Sequence, residues 1–189
     1  MENSFRKFKK KQIYMTEVIN NYVNDKLPKR KNIRLKYYDY SLEGYYFITI
    51  CTKNRKEILG QIKPVGVALL GDPKENITKQ IHLTNEGKIV SKHINNCNKI
   101  FDDIFIDEYV IMPNHIHLII TLSNGSPKTA TPTIPKIINA YKSIVSKEIG
   151  YPIWQRNYYE HIIRNEKEYY EIKNYIQNNI INWEMDKYF

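Results

Sequence analysis

Apolar positions change their spacing along the chain in an order that predicts alternating strands and helices. Tyr45-Tyr46-Phe47-Ile48-Thr49-Ile50-Cys51 is aromatic and β-branched and follows Gly44, which fits a buried strand. Lys53-Asn54-Arg55 then turns the chain, and residues 63–81 mix glycine, proline and polar side chains, as in a loop or an irregular hairpin. From Thr84, capping residues precede Ile89, Val90, His93, Ile94, Cys97 and Ile100-Phe101, whose three-to-four spacing predicts an amphipathic helix with Gly87 in its first turn, where glycine costs little. Ile104-Phe105-Ile106 with Tyr109-Val110-Ile111-Met112, and then His115 to Leu122, predict two strands joined at Pro113-Asn114. Ser123 to Pro135 is turn-rich. A second helix follows over Ile134 to Ile149, ended by Gly150 and Pro152, and a third runs from about Glu166 to Asn182. Strand, helix, strand, strand, helix is the order of a split βαβ unit, an α+β fold with an antiparallel sheet and helices packed mainly on one face.

Charge adds a second region to this picture. Residues 1–36 hold 11 Lys and Arg against three Asp and Glu, a net +8 of the chain's formal +9, so a basic amino-terminal arm precedes a nearly neutral body over 37–189. Lys9, Lys10, Lys11, Arg30 and Arg34, interleaved with Phe5, Phe8, Tyr14 and Tyr22, suit the phosphates of a nucleic acid, because each cation placed there releases a counterion. A solvated tail in a Lys-, Asn- and Ile-rich chain is the plainer alternative. The 189 residues suffice for one sizeable core. No stretch has the roughly 18 consecutive apolar residues of a membrane span, and the opening lacks the apolar block of a secretory signal, so a cytoplasmic protein is expected. Cys51 and Cys97 lack CxxC spacing, which argues against a disulfide scaffold or a zinc ribbon.

Two short patterns carry candidate chemistry. In Met112-Pro113-Asn114-His115-Ile116-His117, strand alternation puts His115 and His117 on one side and Ile116 on the other. Two imidazoles aimed at one point suit a transition metal with positions left open, although a polar sheet face would show the same pattern. In the last helix, Tyr175 and Asn179 stand four apart on one face, with Cβ atoms about 6 Å apart. A phenol beside an amide oxygen can serve as a nucleophile and a third metal ligand. With 16 tyrosines in the chain, packing is the competing role. Tyr169 and Tyr170 compete as nucleophile; Asn174 stands four residues after Tyr170 and makes it the runner-up.

The ordered motifs resemble the HUH single-tyrosine transposases, in the branch of REP-associated tyrosine transposases. The matching segments are Tyr38-Asp39-Tyr40-Ser41 with Gly44 to Thr49, then Met112 to His117, then Trp154 to Arg164, and finally Tyr175-Ile176 through Asn179, within a resemblance over roughly residues 30–187. It implies a ferredoxin-like α+β domain in which His115 and His117 are the metal-binding pair and Tyr175 attacks single-stranded DNA. The tyrosine would become joined to a 5′-phosphate and release a 3′-hydroxyl. Asn179 would help to hold Mg²⁺ or Mn²⁺. The branch often has a proline after this asparagine; Ile180 stands there instead, which alters the helix end and leaves the ligand chemistry intact.

Within Trp154 to Arg164, Arg156 and Arg164 can clamp phosphates while Trp154, Tyr158 and Tyr159 stack on unpaired bases; equally, Trp154 and Ile162-Ile163 can pack the last helix on the sheet. His161 is a candidate third imidazole or a structural hydrogen-bonding residue, and His82 and His93 look non-catalytic. The expected function is a metal-dependent single-stranded DNA endonuclease and strand transferase acting at hairpin or palindromic DNA. A non-cleaving DNA-hairpin-binding module and a rolling-circle replication initiator or relaxase are the alternatives, and both homodimer and monomer remain open.

Overall fold

The computed structural model describes residues 39–65, 78–100, 103–123 and 133–186. The expected basic arm, with Lys9, Lys10, Lys11, Arg30 and Arg34, lies outside the described residues. Strand β1 (Gly44–Cys51) is followed by a 3-10 turn (Lys53–Arg55) and a two-stranded hairpin of β2 (Gly60–Val65) and β3 (Thr78–Leu83). Helix α1 (Asn85–Ile100), strands β4 (Ile104–Ile111) and β5 (His115–Leu122), helix α2 (Ile134–Ile149), strand β6 (Tyr159–Ile163) and helix α3 (Glu166–Asn178) complete the order. The sheet runs β4-β5-β1-β6 and is antiparallel throughout. With the hairpin set aside, this is the βαββαβ ferredoxin-like arrangement, in which β5 lies between β1 and β4 and splits the βαβ unit.

Alternation along the strands sorts the side chains into two cores. Tyr46, Ile48 and Ile50 of β1 and Ile116, Leu118, Ile120 and Leu122 of β5 face one side, where Val90 and Ile94 of α1 and Ile137, Ile138, Tyr141 and Val145 of α2 cover them. On the other side Phe47, Val110, Met112, Ile119 and Ile163 pack with Ile176 of α3 and with Trp183. Two helices therefore share one face, as expected, and the third crosses to the opposite face. That crossing brings Tyr175 over the strand that carries the histidines.

A bulge fixes where α3 lands. The register of β4 on β5 shifts between Ile106 and Glu108, an extra residue that turns consecutive carboxylates toward the helix. Asp107 accepts a hydrogen bond from Tyr169, while Glu108 accepts one from Gln177 Nε2 at 2.9 Å and lies 3.6 Å from Lys173 Nζ. At its start, Asn165 caps α3 by accepting from Glu168 N–H at 2.9 Å. The Glu168 carboxylate reaches back to Arg164 N–H at 2.8 Å and to His161 Nε2 at 2.6 Å; these contacts, the backbone one foremost, hold its carboxyl below the ordinary value.

Three local expectations change. The last helix ends at Asn178, short of Asn182, and the chain turns into a 3-10 segment (Trp183–Met185) that buries Trp183. Asn178 uses its side chain on the Asn174 carbonyl at 2.8 Å, the competition with the helix ladder that makes asparagine a poor interior residue. The segment after Arg156 contains a fourth strand, β6, which pairs with β1 from Tyr45↔Ile163 to Thr49↔Tyr159. Its pattern was concealed because Glu160 and His161 interrupt the apolar run. Finally, Gly87 is far from indifferent. A Cβ there would stand 1.9 Å from the Leu59 carbonyl oxygen, and Leu59 is itself fixed by donating to Pro113 O at 3.0 Å. Gly87→Ala is expected to cost about 3 kcal/mol by forcing two backbones apart. For a domain of this size that lowers the melting temperature by roughly 6–12 °C, measurable by thermal unfolding followed by circular dichroism.

Candidate functional site

His115 and His117 project from the centre of the sheet to the α3 face, and both are buried, at 0% and 1% exposure. Their Nε2 atoms stand 3.0 Å apart. Each Nδ1 is held by a neighbour on the strands. His115 Nδ1 donates to Asn114 Oδ1 at 2.7 Å, and a carbonyl oxygen can only accept, so His115 Nε2 keeps its lone pair. Thr49, paired with His117 across β1 and β5, places Oγ1 2.8 Å from His117 Nδ1 and accepts from it in the tautomer that leaves the second Nε2 available. Phe47, two residues before Thr49, stacks on the His117 ring with centroids 5.3 Å apart. Trp183 covers His115 at 5.9 Å.

From α3, the Tyr175 hydroxyl comes to 3.2 Å from His117 Nε2. It donates to Asp186 Oδ2 at 2.9 Å, and Asn179 Nδ2 donates to the same oxygen at 3.0 Å. The structure thus brings together all four residues proposed from the two sequence patterns, His115, His117, Tyr175 and Asn179. It adds a fifth. Asp186 has a side chain only 1% exposed, 4.0 Å from His117 Nε2, and its carboxylate and the two imidazoles offer donor atoms within 4.8 Å of one another.

The donor set suits a divalent cation. In the tautomer where Thr49 accepts from His117 Nδ1, two imidazole lone pairs face each other and repel unless a cation lies between them, and the nearby carboxylate favours a cation there. Asn179 Oδ1 is buried and has no hydrogen-bond partner among the described residues, and such an oxygen is costly unless it meets a donor or an ion.

The competing residues fall elsewhere. Tyr169 is committed to Asp107; burial first, and then that carboxylate, push its phenol above the ordinary value, so it stays protonated. Tyr170 lies on the wall of a separate cavity. Of the three tyrosines weighed, Tyr175 is the one whose hydroxyl reaches an imidazole. His161 bonds Glu168 at the start of α3, the structural alternative, and His93 joins Glu148 at 2.7 Å between α1 and α2. Arg156 and Arg164 are exposed, as phosphate contacts require. Trp154 requires a correction. Its ring is 7% exposed and packs 6.2 Å from Tyr141 in the core beneath α2, because an isolated bridge between Thr52 and Trp154 turns the segment inward. An indole buried there cannot offer a face to a base.

Sequence patterns did not single out Thr49, Asn114, Trp183 or Asp186. Strand parity from Phe47 and His117 could have found Thr49, and adjacency could have found Asn114. Asp186 is reached only because the chain reverses after Asn178, which no periodicity announces.

No known family profile matches the chain. A Haemophilus influenzae protein, described as uncharacterized, is 39% identical over 180 residues, covering 84% of this chain and 92% of that one. Among solved structures, a REP-associated tyrosine transposase bound to a REP hairpin is similar with a TM-score of 0.54 at 22% identity, over 82% of this chain and 77% of that chain. A Deinococcus radiodurans protein described as a candidate transposase is a more distant likeness, with a TM-score of 0.42 at 16% identity over 77% and 95% of the two chains.

Proposed function

We propose that this chain, which belongs to one family with the Haemophilus influenzae protein and has the fold of a REP-associated tyrosine transposase, is a transposase-like nuclease and strand transferase for single-stranded DNA. The observation that carries this reading is the Tyr175 hydroxyl 3.2 Å from His117 Nε2, within a buried His–His–Asp–Asn cluster. A phenol is a weak nucleophile at neutral pH, with a reference pKa near 10, and gains from a nearby acceptor for its proton. Asp186 Oδ2 is that acceptor. The Tyr175 oxygen attacks the phosphorus of a phosphodiester as its proton passes to Asp186, the bond to the 3′-oxygen breaks, and the leaving oxygen takes a proton from water, so that the products are a 5′-phosphotyrosine and a free 3′-hydroxyl. The phosphotyrosine keeps the ester energy for the reverse step on another strand.

His115, His117 and Asn179 are the residues that would hold Mg²⁺ or Mn²⁺, with Asp186 supplying negative charge beside them. When bound, such an ion neutralises charge on the phosphate under attack. Asn114 and Thr49 fix the imidazole orientations, and Trp183 and Phe47 keep water from their faces. The transposase of similar fold was solved with a REP hairpin, so hairpin-bearing single strands are the substrate class to test.

The experiment is incubation with such strands and Mn²⁺, followed by denaturing electrophoresis. A protein–DNA adduct that survives denaturation is expected, and its formation should stop when the divalent ion is chelated. Binding without an adduct across Mg²⁺ and Mn²⁺ would instead identify a non-cleaving hairpin-binding module.

A further inference from the structure

Away from the imidazole–phenol cluster, a cavity of about 450 Å³ opens where the start of β1, the end of β6 and the first turns of α3 meet. Tyr45, Tyr169, Tyr170, Ile163, Arg164 and Glu166 form its walls. Tyr169 is anchored through Asp107, and the rings on either side of it pack edge-on, Tyr45 at 5.2 Å and Tyr170 at 5.3 Å. Those two outer rings remain 44% and 54% exposed. Burial of an aromatic ring is strongly favourable, so two held open around a concavity are suited to a planar apolar ligand. Arg164 adds a cation on the rim. Glu166 repels phosphate from its own side, which leaves Arg164 as the side where a phosphate can lie.

The cavity stands in a definite relation to the phenol. Tyr45 shares a face of β1 with Phe47, two residues on, and Phe47 packs against both His117 and Tyr175. Tyr170 precedes Tyr175 by five residues on α3. Two strand residues advance about 7 Å, which reaches Phe47, whose ring lies 6.2 Å from that of Tyr175, and five helical residues rise about 7.5 Å along α3, so the cavity neighbours the phenol along both elements.

We propose that this cavity takes an unpaired nucleobase of single-stranded DNA, stacked on Tyr170 and Tyr45, with Arg164 at the phosphate beside it. Its role next to the reacting phosphate rests on the function proposed above. The cavity is thus a positioning site: it seats the neighbouring nucleotide so that the phosphodiester lies at Tyr175.

The test is fluorescence anisotropy, without divalent ions, using a short labelled oligothymidylate and its abasic counterpart of equal length. Tyr170→Ala and Tyr45→Ala are each expected to weaken oligothymidylate binding about 5- to 150-fold, the range for loss of one stacked base, and to leave abasic binding unchanged. Tyr170→Phe should bind within about twofold of the parent, because stacking needs the ring and not the hydroxyl. Arg164→Ala should weaken both probes and lower the salt slope by about one. Tyr170 is half exposed, so its alanine variant should lose only the edge contact with Tyr169 and melt within a few degrees of the parent. The proposal is overturned if Tyr170→Ala binds oligothymidylate like the parent, or if it weakens both probes equally. Ring-dependent binding by a protein that forms no adduct would sink the cleavage function and leave this site standing. An adduct with unchanged binding in Tyr170→Ala would do the opposite.

Discussion

Tyr175→Phe should abolish the covalent adduct while leaving DNA binding within about threefold of the parent, since phosphate contacts and stacking supply affinity and the hydroxyl supplies none of it. The substitution retains the ring that packs 6.2 Å from Phe47 and 5.2 Å from His117, so the site keeps its shape. Asp186 loses this donor and keeps that from Asn179 Nδ2. One lost hydrogen bond costs about 1 kcal/mol, a shift of a few degrees in melting temperature. Turnover, by contrast, should fall on the order of 10⁶-fold, the scale seen when a covalent catalyst loses its nucleophile. An adduct formed at the parent rate by the phenylalanine variant would assign the nucleophile elsewhere, with Tyr170 the next residue to change.

His117→Ala should remove cation binding and catalysis together. In the parent, Mn²⁺ at a hundred times its dissociation constant should add about 2.7 kcal/mol of stability, and thus raise the melting temperature by about 5–11 °C. The alanine variant removes one of two facing nitrogens and should lose both this rise and the adduct. Because His117 is buried, its removal also lowers the ion-free melting temperature, so the quantity to compare is the shift on adding Mn²⁺. Thr49→Val provides the milder case. It removes the hydroxyl on His117 Nδ1 and leaves the imidazole in place, and loss of such a supporting contact should weaken Mn²⁺ affinity about 10- to 100-fold. A full Mn²⁺ shift in His117→Ala would place the cation outside this cluster.

Much of this site was legible before any coordinates because its members obey short-range periodicity. His115 and His117 follow the two-residue repeat of a strand, and Tyr175 and Asn179 follow the four-residue step of a helix. Each pair depends only on local conformation. What joins the pairs is tertiary: the bulge at Asp107 that seats α3, and the turn after Asn178 that brings in Asp186. Neither follows the repeat of a strand or a helix. The fold shows the same division. Helices α1 and α2 are clear from their apolar stripes, whereas β6 is hidden because Glu160 and His161 interrupt its short apolar run, leaving Ile162 on one face and Ile163 on the other. At Gly87 the position in the helix suggests a small cost, while the real constraint is the Leu59 carbonyl from another segment. Trp154 illustrates the limit of composition: an aromatic ring beside arginines suits a stacking surface equally well until burial assigns it to the core.

The central claim is that Tyr175 is the atom donor of the new phosphoester. Its most direct measurement is mass spectrometry of the digested adduct, formed from a hairpin-bearing single strand with Mn²⁺ and trimmed with nuclease to a residual nucleotide. The account predicts the added mass on the Tyr175 side chain. The same mass on Tyr169, Tyr170 or any other residue would contradict it.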